Sequence, residues 1–360
     1  MSEVTHGAKP GPPVVPPATE PVMALRARGL RKTFPLRRDL LGRAVERVVA
    51  VDGVDLQVAQ GMTLGLVGES GSGKSTAARL AALLVPADSG TVEVDGVDVT
   101  RARGRQLKAL RGKLQMIFQD PYSALDPTKT VGHAVTEPLI VHGRKAEAGD
   151  AAAALLARVS LDPALARRRP EELSGGQRQR VCVARALALD PRVLIADEPT
   201  SALDLSTRAG ILNLLLRLQQ ESGQAMILVS HDFATVQHLA DRIAVMYLGR
   251  VVEEGYAAQI VGEPLHPYTR ALLSAVPVPD PVVQRQRRRI VLHGDPPNPA
   301  NPPSGCNFRT RCPVALPECA RIDPVLQAAD AGRRVACIRV DGTADLPDLA
   351  TPTGPHPTRS

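Results

Sequence analysis

Residues 68–75 read Gly68-Glu69-Ser70-Gly71-Ser72-Gly73-Lys74-Ser75, a G-x-x-x-x-G-K-S spacing, between an apolar run, MTLGLVG (62–68), and an amphipathic stretch, KSTAARLAALLV (74–85). Polyphosphate binding asks for these residue types in this order. Backbone N–H groups can wrap a chain of phosphates only where bulky Cβ atoms are absent and positive φ is tolerated, which accounts for the glycines. Lys74 then brings a point charge to the β- and γ-phosphates, and the Ser75 hydroxyl faces Mg²⁺. A helix beginning near Lys74 and Thr76 directs its N-terminal dipole at the anion. A chance Gly/Ser-rich turn needs neither the apolar strand before it nor the helix after it. The segment predicts a strand–turn–helix unit that binds a nucleotide.

Outward from this loop the same alternation continues. KLQMIFQ (113–119), RVLIAD (192–197), AMILVS (225–230) and RIAVMYLG (242–249) read as further strands. Continuous apolar runs of this kind suit strands covered on both faces, as in a parallel sheet. QRQRVCVARALAL (177–189) and LSTRAGILNLLLRLQQ (205–220) read as helices between them, so the domain is expected to be α/β. RVLIADEPTSALD supplies a second half-site, with Asp197 and Glu198 at the C-terminal end of a buried strand, the edge where open α/β sheets bind ligands. Asp197 is placed to hold Mg²⁺ and Glu198 to polarise an attacking water.

Leu173-Ser174-Gly175-Gly176-Gln177 precedes the second helical run. Ser174 with Gln177 fits the S-x-x-Q capping box that starts a helix. That device alone leaves two first-turn glycines unexplained, since each costs ~1 kcal/mol against Ala. Close approach of backbone N–H groups to a phosphate explains them. One phosphate loop is already present, so this second anion site is expected to serve another subunit's nucleotide.

With these motifs in this order, joined by Gln119 after MIF, SALD (201–204) and LVSHD (228–232), the sequence resembles the nucleotide-binding subunits of ATP-binding-cassette (ABC) transporters over about residues 23–275. The resemblance implies a P-loop ABC-type domain with a RecA-like core, an antiparallel β subdomain and a helical subdomain at about 121–185. It implies ATP and Mg²⁺ as cofactors. By it Gln119 senses the metal and couples to a membrane subunit, Asp204 helps form a dimer contact, and His231 orients the γ-phosphate. Phe34, in LRKTF, falls where the family places an aromatic ring under adenine. GESGSGKST, FQDPYSALDP (118–127), HPYTRALLSAVP (266–277) and GDPPNPANPPSGCNFRTRCPVA (294–315) are similar to the ATP-binding subunits of oligopeptide and dipeptide importers. The long stretch 34–54 resembles the second of the two non-identical ATPases in those systems. The partners so implied are a second ATPase subunit closing head to tail, two membrane permease subunits and an extracytoplasmic substrate-binding protein, with the chain peripheral on the cytoplasmic face of the inner membrane. The rival class is a soluble ABC ATPase acting on DNA or ribosomes. Such proteins typically carry two cassettes or a long coiled-coil insertion, and neither is seen here.

Composition narrows the alternatives. The 360 residues carry 44 basic and 37 acidic side chains, a formal charge of +7, and 44% are apolar, near the globular average. Aromatics are 2% with no Trp, which argues against a stacking platform for nucleic acid. No run reaches the roughly 18 apolar residues that a membrane helix needs. Residues 1–22 and 346–360, rich in Pro and small residues, read as tails, and the start lacks the apolar core and charged flank of a secretory signal. Arg285–Arg289 is a basic run in a linker-like segment, read as a solvated surface with anionic lipid as its best functional partner.

Cys182 is expected to be a buried small apolar residue. Cys306, Cys312, Cys319 and Cys337 cluster in an extension at 276–345. Four thiols in a Pro-rich segment suit Zn²⁺ or an iron–sulfur cluster, and the absence of C-x₂-C pairs leans to the latter. The importer resemblance implies a [4Fe–4S] cluster, with zinc or no cofactor as alternatives. It is expected to be structural, holding the extension against its neighbouring subunit, and it lies far in sequence from Lys74 and Glu198.

Overall fold

The structure is a computed structural model that describes residues 22–38, 44–277, 285 and 289–340. Its first elements in chain order are β1 (Met23–Arg38), β2 (Ala44–Ala59), β3 (Thr63–Val67), α1 (Lys74–Ala81), β4 (Ser89–Val94), β5 (Val97–Asp98), α2 (Gly104–Lys113) and β6 (Leu114–Ile117). Four helices follow, α3 (Pro121–Ala124), α4 (Val131–Val141), α5 (Lys145–Arg158) and α6 (Gly175–Leu187). The chain then returns as β7 (Val193–Asp197), α7 (Leu205–Ser222), β8 (Ala225–Ser230), α8 (Phe233–Leu239), β9 (Arg242–Tyr247) and β10 (Arg250–Tyr256). It continues through α9 (Ala257–Gly262), α10 (Pro267–Ser274), β11 (Gln327–Asp330) and β12 (Arg333–Val335).

The five apolar runs become five neighbouring strands. They pair in the order β9-β3-β8-β7-β6, all parallel, with Leu66 opposite Val229 and Ala244, and Ala196 opposite Leu228 and Ile117. Period-two alternation divides each strand between two cores. Leu194 and Ala196 join the core shared with α4, α6 and α7, whereas Val193 and Ile195 join the one shared with α1 and the second sheet. That sheet is antiparallel, in the order β2-β1-β4-β5, and α1 packs on both sheets through buried Ala77, Ala78, Leu80 and Ala81. The architecture is the mixed α/β fold with antiparallel and helical parts that the motifs imply.

Some boundaries differ from the sequence expectation. The 74–85 helix ends at Ala81, and Leu83 has positive φ. The 113–119 strand ends at Ile117, so Phe118 and Gln119 stand exposed beyond it. Of the basic run, Arg285 and Arg289 are exposed and the residues between them lie outside the described set, as do both tails but for Val22.

The C-terminal extension is bound into the fold more firmly than its composition suggests. β12 pairs antiparallel with β10, Glu253 opposite Val335 and Glu254 opposite Arg334, so β11 and β12 continue the main sheet. Phe308, 1% exposed, packs against Tyr247 at 5.2 Å edge-on, Tyr268 at 5.4 Å and His266 at 5.6 Å. Burial holds the His266 imidazole down at about 3, so it is neutral in this cluster. Buried Glu253 accepts the backbone N–H groups of Leu265 at 2.7 Å and His266 at 3.0 Å, tying β10 to the start of α10. Glu253→Ala should therefore lower unfolding free energy by several kcal/mol, at about 1–3 kcal/mol for each buried donor left unpaired. Glu253→Gln, which keeps one acceptor oxygen, should lose less. Denaturant unfolding of the full chain checks the order.

Candidate functional site

The site forms where the parallel strands end. Val67 lies beside Ser230, and Asp197 beside Val229, so the loops that follow β3, β7 and β8 meet at one edge. After β3 the chain turns through residues 68–73 into α1. Gly73 has φ +97°, and a Cβ there would sit 2.1 Å from the Ala50 carbonyl oxygen, so the turn closes only with glycine. The Lys74 ammonium curls back under the loop and donates to the Gly68 and Glu69 carbonyl oxygens, each at 2.8 Å. Only 4% of Lys74 is exposed, and burial lowers its pKa despite the neighbouring carboxylates of Glu198, Asp197 and Glu69. The ammonium is held by these carbonyls and, at 3.5 Å, by the Ser72 hydroxyl, with no carboxylate in direct contact. Ser70 and Gly71 form the exposed rim above it.

Asp197 ends β7 with its side chain fully buried. Oδ1 accepts the Ser75 hydroxyl at 2.7 Å, while Oδ2 has no hydrogen-bond donor, its nearest cation being Arg79 at 3.7 Å. Burial pushes the Asp197 pKa up. A half-satisfied buried carboxylate beside a serine hydroxyl is an oxygen donor set that fits Mg²⁺. Thr76 follows in α1 and is half-buried.

Glu198 takes a left-handed backbone conformation, φ +45°, uncommon for a residue with a side chain, and its N–H donates to the Val229 carbonyl at 2.9 Å. This turn brings Glu198 Oε2 3.1 Å from Gln119 Nε2, which donates to it, and 3.1 Å from His231 Nδ1. The three side chains come from the ends of three adjacent strands, β6, β7 and β8. Glu198 is partly covered, while Gln119 and His231 open to solvent. A carboxylate so held can orient a water molecule and take its proton.

Ser174 caps α6, and both bonds of the capping box are made: Gln177 N–H to Ser174 Oγ at 3.3 Å, and Ser174 N–H to Gln177 Oε1 at 3.0 Å. The structure adds a packing reason for one glycine. A Cβ on Gly176 would meet Thr207 Cγ2 at 2.5 Å, whereas one on Gly175 would make only ordinary contact with Leu203. Thr207 is itself fixed by Asp204, the N-cap of α7, whose carboxylate accepts from the Ser206 and Thr207 hydroxyls and the Thr207 N–H. These bonds hold the exposed Asp204 well below the usual carboxylate range. The helix that this turn starts, α6, packs on α3, α4, α5, α7 and the edge strand β6, while α1 packs on β1, β2, β7 and β8. Phe34 is half-buried on β1 opposite Val48, with the Lys32 ammonium 5.7 Å from its ring centre.

All five cysteines are free thiols. Cys182 is buried in the core of α6, and burial pushes its thiol up to about 12, as expected of an inert apolar side chain. Cys306, Cys312, Cys319 and Cys337 line one small cavity together with His266 and Phe308. Burial first, and the neighbouring thiols after it, raise Cys306, Cys312 and Cys337, with Cys312 reaching about 12. Yet among the described residues no three His, Cys, Asp or Glu are arranged to hold a metal ion. The iron–sulfur expectation thus finds the four thiols at one place but no formed metal group.

Sequence profiles place these elements in two families. The ABC transporter family matches residues 51–201, and the oligopeptide/dipeptide transporter C-terminal region matches 252–319. An oligopeptide transport ATP-binding protein of Salmonella typhimurium is 48% identical over 295 residues, covering 81% of this chain and 88% of that protein. One from Bacillus subtilis is 46% identical over 316 residues, covering 87% and 96%. The chain belongs to the ATP-binding subunits of oligopeptide/dipeptide ABC transporters. A dimeric ATP-binding cassette solved after hydrolysis, with ADP and Pi bound, matches with TM-score 0.58 and 31% identity over 65% of this chain and 98% of that one. As an ABC subunit the chain is an ATPase that uses ATP and Mg²⁺. Nothing in these relationships supports a cassette acting on DNA or ribosomes.

The structure also joins residues that the sequence leaves apart. In this ABC subunit Arg311, between Cys306 and Cys312 in the extension, grips Glu69 of the phosphate loop with both guanidinium arms, at 2.7 and 3.1 Å. Tyr268 Oη accepts the Glu69 N–H at 2.8 Å. The extension, far from Lys74 in sequence, therefore touches the loop against which Lys74 folds. No sequence periodicity links positions 242 apart, and only the buried aromatic cluster around Phe308 explains why Arg311 arrives there. The Gly176 contact yields a test with a decisive sign. Helix propensity predicts that Gly176→Ala stabilises, but the clash with Thr207 predicts a loss of about 1–3 kcal/mol, as overpacking commonly costs. Thermal unfolding should show the loss, and Thr207→Ser, which removes the offending methyl, should recover most of it.

Proposed function

We propose that this chain binds ATP on the 68–76 loop and hydrolyses it through Glu198, driving import of oligopeptides or dipeptides. The observation that carries this reading is the convergence, at one sheet edge, of the Lys74 loop, the half-satisfied Asp197 carboxylate and the Glu198–Gln119–His231 set. Mg²⁺, when bound, would supply positive charge that offsets the charge developing on the transferred phosphate. Lys74 turns its ammonium from the loop carbonyls to the β- and γ-phosphates. Ser75 and Asp197 hold the metal side of the site. Glu198 orients the water and accepts its proton, Gln119 keeps Glu198 in place, and His231 orients the γ-phosphate. Ser174, Gly175, Gly176, Gln177 and Asp204 complete the site of a second ATPase subunit across a head-to-tail dimer, a reading supported by the exposed Ser174 cap at the start of α6 and the exposed Asp204. Phe34 stacks under adenine.

No helix among the described residues is long and apolar enough to cross a membrane, so the solute path belongs to permease subunits, with a substrate-binding protein outside. The chain works as a peripheral subunit on the cytoplasmic face. Phe118 and Tyr122, large and exposed beside Gln119, support a docking role for that corner of the helical subdomain.

Glu198→Gln should keep ATP affinity but lower phosphate release by roughly 10²–10⁴-fold, the usual worth of a general base. Near-parental turnover in the assembled transporter would remove Glu198 from the role.

For the four cysteines we propose a structural [4Fe–4S] cluster. What supports it is the gathering of the four thiols on one cavity, the ligand type and number that a cubane cluster takes. Anaerobically purified chain should carry iron and sulfide in stoichiometric amounts and lose both on Cys312→Ser or Cys319→Ser. Zinc without iron, or no metal at all, would refute the cluster.

A further inference from the structure

The loop that wraps the phosphates is made of Gly68, Glu69, Ser70, Gly71, Ser72 and Gly73, so Glu69 is its one long side chain. Its charge has the wrong sign for an anion site, because a carboxylate on the rim repels a polyphosphate. The structure places that carboxylate under external control. Arg311 is only 8% exposed and spends two of its donors on Glu69, Nη1 to Oε2 at 2.7 Å and Nη2 to Oε1 at 3.1 Å. Paired hydrogen bonds of this kind fix direction as well as charge. Arg311 is in turn anchored, because Phe308, three residues earlier, is buried among Tyr247, Tyr268 and His266. Tyr268 from the same cluster accepts the Glu69 N–H, and Lys74 takes the Glu69 carbonyl. Residue 69 is thus held by its amide, its carbonyl and its side chain at once. The chain has four Tyr, four Phe and no Trp, and it commits three of these rings to the anchor.

We propose that Arg311 is a positioning residue for ATP binding. From the C-terminal extension it neutralises Glu69 and draws it outward, holding the arch of the phosphate loop open for the β- and γ-phosphates. The inference rests on the reading of 68–76 as the ATP loop. Arg311 directs its hydrogen bonds to Glu69 and not to Gln119, Glu198 or His231. Its effect therefore falls on binding that ground and transition states share, which moves KM and Kd and leaves kcat nearly unchanged.

The test uses the full-length chain with MgATP. Arg311→Ala should weaken ATP binding about tenfold, equivalent to ~1.4 kcal/mol. Turnover at saturating ATP should stay within about twofold. Arg311→Lys, which keeps the charge but loses the fork, should fall between the parent and Arg311→Ala. Glu69→Gln in the Arg311→Ala background should restore most of the affinity, because the uncompensated carboxylate is gone. A purely structural role for Arg311 would lower thermal stability and kcat together and would not be rescued at position 69. If Arg311→Ala does not fold, Arg311→Lys with and without Glu69→Gln gives the same reading. The inference is overturned if the Arg311 variants bind ATP within about twofold of the parent while Lys74→Ala loses it, or if Glu69→Gln gives no rescue. Lys74→Ala binding as tightly as the parent overturns the ATP-loop reading along with it.

Discussion

The parallel pairing of β3 between β8 and β9, and of β7 beside β8, is the constraint from which the rest follows. It fixes where Val67, Asp197 and Ser230 end, and so where the next residue of each loop begins. Strand pairing is a backbone property, yet its register here is set by side chains, because a one-residue slip would turn Leu194 and Ala196 out of one core and into the other. Two separate apolar cores thus hold three polar loops in one place. Neither core would do so alone, since each strand puts alternate side chains into both, Val193 and Ile195 into one and Leu194 and Ala196 into the other.

That burial is what gives the site its electrostatic character. In water Lys74 and Asp197 would each be satisfied by solvent. Inside the sheet edge each keeps an incomplete shell, the ammonium facing carbonyl oxygens and the carboxylate keeping one oxygen without a donor. Burial moves the lysine pKa down and the aspartate pKa up, which means that both charged forms are under-compensated. A ligand bearing an anion for one and a cation for the other relieves both, and a metal-bound nucleoside triphosphate is such a ligand. The strained backbone at Glu198 belongs to the same design: an extended residue there would carry its carboxylate away from Gln119 and His231.

How much of this is legible in the sequence depends on whether the signal is local. The strands are legible because a run such as LIAD can be buried only on both faces, and the loop at 68–75 because its spacing states its own chemistry. Gln119, Glu198 and His231 can be named but not joined, since their meeting depends on strand order, which no local pattern encodes. Gly176 illustrates a different failure. Its glycine suggests approach to a phosphate, and the structure adds Thr207, thirty-one residues on, as a packing reason for the absent Cβ. The two reasons coexist, but only one is visible in the LSGGQ segment.

The extension is where local reading falls furthest short. Its Pro-rich, weakly apolar composition suggests a unit that metal must hold together. In the structure a strand pair with β10, a buried Phe308 and the Arg311–Glu69 fork already tie it to the cassette. The thiols belong to that same short segment: Cys306 precedes Phe308 by two residues, and Cys312 follows Arg311 directly. A group bound by Cys306 and Cys312 would fix the backbone that carries both Phe308 and Arg311, so whatever occupies the cysteine cavity bears on the phosphate loop through one turn of chain. Separation along the sequence therefore gives no isolation here. The extension is better understood as an outer support of the 68–75 loop, built late in the chain and anchored where three of the chain's few aromatic rings meet.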